Sequence, residues 1–99
     1  MIDQKMFRKD VSDTMKAINN ACSINVQNVD SGTHAFVNVD NIKVSWGKRE
    51  VLFFIPHTVT YRIPYDAVCS YSVYGQNTAQ SSMEIELKGR QLMSIRPKQ

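Results

Sequence analysis

Residues 7–27 read FRKDVSDTMKAINNACSINVQ, and the period of the apolar positions changes inside that stretch. Phe7, Val11, Met15, Ile18 and Cys22 recur at steps of four, four, three and four, with Thr14 and Ala21 beside them. That spacing draws one stripe along a helix of 3.6 residues per turn. Lys5, Arg8, Lys9, Ser12, Asp13, Lys16 and Asn19 occupy the opposite side. Asp3 is placed to cap the free amides of the first turn, so a helix is predicted over about 4–21. Lys9 and Asp13 form an i,i+4 pair, a few tenths of a kcal/mol in size. After Cys22 the period falls to two: Ile24 and Val26 alternate with Asn25 and Gln27, as on a half-buried strand. A one-sided helix followed by strands must pack on the sheet they form.

Downstream, the same alternation recurs between turn signals. Ala35, Val37 and Val39 alternate with His34, Phe36 and Asn38 after Asp30-Ser31-Gly32. Ile42, Val44 and Trp46 follow Asp40-Asn41, and Gly47 to Glu50 marks a hairpin-like turn. Val51 to Ile55 is apolar throughout, and Pro56 suggests that this strand reaches an edge. Val59 to Ile63, Val68 to Tyr74, Met83 to Leu87 and Gln91 to Ile95 complete the pattern, with Gly75 to Ser82 read as an exposed loop. Short connections favour antiparallel pairing. The expected architecture is α+β: one domain over 1–99, with an amphipathic helix on a twisted antiparallel sheet or half-barrel of about six to seven short strands over about 23–95.

The chain has 99 residues, 42% of them apolar, enough for a single core and too apolar for intrinsic disorder. Two cysteines, Cys22 and Cys69, are too few for a disulfide scaffold and read as reduced thiols. No apolar run approaches the roughly 18 residues of a membrane span, and Met1 to Lys5 lacks the apolar region of a secretory signal. The expected setting is therefore cytoplasmic, without membrane contact.

Catalytic constellations are hard to assemble. His34, His57, Cys22 and Cys69 lack metal-ligand spacing, and the serines lack a nucleophile elbow. Cys69 with His57 is the one nucleophile–base pairing worth naming. Glu84 and Glu86 share the polar phase of one strand, an arrangement suited to solubility. Four glycines, each alone in a turn, form no phosphate loop. No enzyme, metal or cofactor is expected.

Two surfaces remain as candidates for binding. Ser70, Ser72 and Tyr74 share a strand face, and Tyr/Ser surfaces adapt well to protein partners. Tyr71, Tyr74, Phe53 and Tyr65 are the expected partner contacts. A covered apolar edge at Val51 to Ile55 implies self-association as a two-fold dimer. The net charge of +3 is uneven: 88–99 holds Lys88, Arg90, Arg96 and Lys98 with no acid. These four are the expected anion contacts. The preferred reading is a small non-enzymatic module of bacterial or phage accessory type that recognises a protein partner. The alternative is single-stranded nucleic-acid binding through sheet aromatics and the basic end.

From Val59 to Val68 the order Val59-Thr60-Tyr61-Arg62-Ile63-Pro64-Tyr65-Asp66-Ala67-Val68 resembles a step in bacterial pleckstrin-homology-like domains, which also follow it with a hairpin like Met83 to Ile95. The helix-then-strands order is similar to that of Sm-like RNA-binding barrels. A pleckstrin-like domain would end in a helix, which Arg96 to Gln99 cannot supply, and the Sm glycine and acid positions are missing. Neither resemblance transfers a functional residue.

Overall fold

A computed structural model describes residues 2–99. Helix α1 spans Gln4–Ala17, and Asp3 caps it by accepting from the Met6 amide at 3.1 Å. Phe7, Val11, Thr14 and Met15 are buried along the expected stripe, while Lys9 and Asp13 pair at 3.0 Å on the exposed side. The helix ends earlier than the periodicity predicts. Asn19 and Asn20 have φ of 55° and 58°, left-handed values that stop the helix and that asparagine tolerates better than most residues. Cys22 therefore opens the first strand, where its side chain is still fully buried.

Eight strands follow, slightly more than the expected number: β1 (Cys22–Asn28), β2 (His34–Val39), β3 (Lys43–Trp46), β4 (Glu50–Phe54), β5 (Thr60–Pro64), β6 (Val68–Tyr74), β7 (Ser82–Leu87) and β8 (Gln91–Pro97). A 3₁₀ turn, Tyr65–Ala67, links β5 to β6. One sheet has the order β2-β1-β8-β7-β6 and the other β3-β4-β5, with every pairing antiparallel. Each strand pairs with a chain neighbour except across β2/β3 and β5/β6, and β8 returns to β1. The result is a barrel-like order opened along two seams.

The strand Val51 to Ile55 departs from its expected position. It is not an edge: β4 is the central strand of its sheet, with β3 and β5 on either side. Its lack of alternation comes from burial of Val51 and Phe53 on one face and partial cover of Leu52 on the other. Pro56 acts outside the ladder, in the turn where His57 takes φ 60°. One apolar cluster joins α1 to both sheets through Phe7, Val11, Met15, Ile24, Val51, Phe53, Ile85 and Ile95.

Two turns set the sheet edges. Between β1 and β2, the Asn28 carboxamide accepts from the amides of Asp30 and Ser31 at 3.1 and 3.0 Å, and Gly32 supplies φ 73°. After β6, Gly75 has φ 59°, and a side chain there would press to 2.9 Å from the Gln80 carbonyl oxygen. Residues 75–80 are exposed as expected, but Ser81 at the end of that loop is buried.

Candidate functional site

Both α1 and the β3-β4-β5 sheet contribute to the core on the inner side of the five-stranded sheet, so its outer face is left open. Register defines what that face carries. Ser72 lies opposite Glu84, Glu84 opposite Ser94, Ser94 opposite Asn25 and Asn25 opposite Phe36, giving one row across all five strands. Beside it, Ser70 lies opposite Glu86 and donates its hydroxyl to the Glu86 carboxylate at 3.3 Å. Tyr74 lies opposite Ser82 at the far edge. Phe36 on β2 and Tyr74 on β6 are 52% and 51% exposed, so each margin of the polar face presents a large ring.

A recess of about 230 Å³ opens on this face, lined by Ser23, Asn25, His34, Phe36, Ser94 and Arg96. Its floor is well tied down on one side. Ser23 Oγ donates to Asn38 Oδ1, the Asn38 amide donates to the Gln99 carbonyl at 3.2 Å, and the Gln99 amide reaches Ser23 Oγ at 3.4 Å. On the other side Asn25 Oδ1 has no hydrogen-bond partner among the described residues.

The expected partner contacts divide sharply. Tyr74 is exposed, with Ser70 and Ser72 on its face as predicted. Phe53 and Tyr65, at 0% and 2% exposure, are core residues and present no ring to a partner. Tyr65 donates its hydroxyl to the Gly47 carbonyl at 3.1 Å and meets Phe7 edge-on at 6.4 Å. Tyr71 points the opposite way from Tyr74, because successive strand residues alternate. It packs edge-on against Phe7 at 5.0 Å and donates to Asp10 Oδ2 at 2.7 Å. Burial first, and then the hydrogen bond to Asp10, raise its phenol above the ordinary range. These three aromatics hold the helix and core together.

The basic end is not a free cationic patch. Arg90 Nε contacts Asp30 at 2.6 Å, Arg96 approaches Glu84 at 3.6 Å, and Lys98 pairs with Asp40. Of the four expected anion contacts, Lys88 alone has no ion pair among the described residues. All three acids come from elsewhere in the chain, which is why the acid-free run 88–99 looked more basic than the folded surface is.

The chemical constellations also separate. Cys69 lies exposed on β6 at a bulge between Val68 and Ser70, whereas His57 lies in the β4–β5 turn of the other sheet, and no hydrogen bond joins them. Burial pushes the Cys22 thiol up to about 11, leaving it little thiolate at neutral pH. Among the described residues no group of three or more His, Cys, Asp or Glu could hold a metal ion, and no helix is long and apolar enough to cross a membrane.

Phe36, His34, Asn25 and Ser94 line the recess of the candidate site, and the reading of the sequence missed them. One signal was available: Phe36 is a large apolar residue in the polar phase of its strand, between His34 and Asn38. No protein-family model, curated protein or solved structure matches the chain.

Proposed function

We propose that the protein is a non-enzymatic recognition module that binds a protein partner on the outer face of its five-stranded sheet. The observation that carries this reading is the open face itself. It combines an exposed Tyr74 beside Ser70 and Ser72 with a polar recess at Ser94 and Arg96, and the Arg96–Glu84 pair puts both signs of charge on it. Tyr and Ser supply contact area and adaptable hydrogen bonds at low entropic cost, and a mixed-sign face matches another protein surface better than a polyanion. Neutralisation of Arg90, Arg96 and Lys98 within the chain weighs against the nucleic-acid alternative.

Affinity capture from the native cell extract, with and without nuclease, tests the reading when the wild type is compared with a Ser72→Arg, Tyr74→Ala variant. Both residues are exposed, so the variant should keep the wild-type melting temperature within a few degrees. The expected result is a protein partner that survives nuclease and is lost with the variant. A partner retained equally by the variant, or lost on nuclease treatment, would overturn the proposal.

A further inference from the structure

The four sheet edges differ in how they are protected. The strand β6 is distorted by the bulge at Val68/Ser70, β5 carries Arg62 and ends in Pro64, and β3 is only four residues long, begins with Lys43 and has α1 residues Ser12, Met15 and Lys16 beside it. Bulges, prolines, charges, short length and a covering helix are the ordinary devices that stop an edge from pairing with another chain. The strand β2, His34-Ala35-Phe36-Val37-Asn38-Val39, has no bulge, proline or charge of its own, and the turn residues Ile55, Pro56 and Thr58 lie beside its Val37–Val39 end without bonding its backbone. It is six residues long, regular along its whole pairing with β1, and free of Lys, Arg, Asp, Glu and Pro.

Which of its backbone groups are free follows from the ladder. The Asn28 amide donates to the Thr33 carbonyl at 2.9 Å, so Asn28 and Thr33 are a hydrogen-bonded pair. Alternation in an antiparallel ladder then directs Ala35, Val37 and Val39 toward β1 and leaves the N–H and C=O of His34, Phe36 and Asn38 facing outward. The other side of β1 agrees: Val29 donates to Arg90, which assigns Ser23, Asn25 and Gln27 to β8. Among the described residues, no loop backbone or side chain bonds the outward groups of His34, Phe36 or Asn38.

We infer that β2 pairs antiparallel with β2 of a second copy about a two-fold axis at Phe36, joining two five-stranded sheets into one. This register sets Phe36 opposite Phe36 and His34 opposite Asn38 of the second copy. It is the two-fold register that uses all three outward residues of each strand, forming about six backbone hydrogen bonds. The occupant is argued from complementarity. Ala35 meets Val37 on the inner face, and the two half-exposed phenylalanines cover one another on the outer face. Continued outward, the register brings Asp40 opposite Gly32 and Thr33 opposite Val39, so no like charges oppose. The strand is thus its own complement. The axis lies at the β2 margin, so the dimer covers the Phe36 and His34 side of the recess while Ser72 and Tyr74 at the β6 margin of each copy stay open.

Light scattering on the purified chain at high micromolar concentration should give twice the 11.3 kDa chain mass. Phe36→Lys, which sets two like charges opposite one another across the axis, should give the single-chain mass. His34→Pro should do the same by removing an outward N–H while sparing the β1 ladder, and it serves if Phe36→Lys fails to fold. Tyr74→Lys, at the opposite edge, should remain dimeric. In a Cys69→Ser background, Phe36→Cys should form an interchain disulfide under mild oxidation, because paired Cα atoms about 5.5 Å apart suit the bond. A monomeric wild type, dimers that persist in both β2 variants, or no crosslink at position 36 would each overturn the inference. The readout is mass alone, so a monomer that still captures its partner would remove the dimer and leave the recognition proposal standing.

Discussion

Tyr71 and Tyr74 are three residues apart on β6 and do opposite work. Tyr74 is solvent-exposed, while Tyr71 ties β6 to α1 through Phe7 and the Asp10 carboxylate. Because folding raises the Tyr71 phenol above its ordinary value of 10.0, the folded state favours the protonated ring. Its contribution to stability is fully present below about pH 10 and is lost as pH rises through the raised value. Thermal melts in alkaline buffers should therefore show wild type losing stability above pH 10 more steeply than Tyr71→Phe, which cannot ionise. Parallel pH profiles for the two proteins would contradict the burial of the Tyr71 hydroxyl and its contact with Asp10. The reading of the sequence named both tyrosines as partner contacts without separating these roles. Parity along β6 distinguishes Tyr71 from Tyr74, but the inward phase is decided by the helix that packs there.

At the scale of elements, α1 is the clearest reading and β4 the instructive failure. The stripe Phe7, Val11, Met15 was legible because amphipathic spacing reports a single buried side whatever lies against it. Met15 is 3% exposed and Lys16 lies on the open side, so the two neighbours should respond oppositely to change. Met15→Asp buries a charge without a partner and should abolish cooperative unfolding or yield insoluble protein. Lys16→Gln should shift the melting temperature by only a few degrees, within about 0.5 kcal/mol. Circular-dichroism melts of both variants check the phase, and similar melting temperatures would refute it. For β4, an all-apolar run says nothing of whether both edges are paired, nor that both faces are covered, since Phe54 is 38% exposed. Pro56 pointed to an edge, yet it sits in the turn beyond the ladder, so its missing amide leaves β4 intact.

For the whole molecule, net charge and its placement part company. If Lys88, Arg90, Arg96 and Lys98 all met phosphates, affinity for a single strand would fall with a log–log salt slope of about −2.8, at about −0.7 per phosphate. With Asp30, Glu84 and Asp40 folded against three of them, fluorescence anisotropy should detect no binding of a labelled single-stranded oligonucleotide even at about 50 mM salt. Tight binding with the full slope would restore the nucleic-acid reading. Local order in the chain was enough to determine the α+β class, the helix with its Asp3 cap, the antiparallel strands and the turns, since periodicity and capping depend on residues a few positions apart. Pairing order was beyond it: that β4 is central, that β2 is an edge, and that Asp30 meets Arg90 across 60 positions are facts about contacts between distant segments. The recess at Asn25, Phe36, Ser94 and Arg96 belongs to the same category, because three strands must come into register before those side chains share a face.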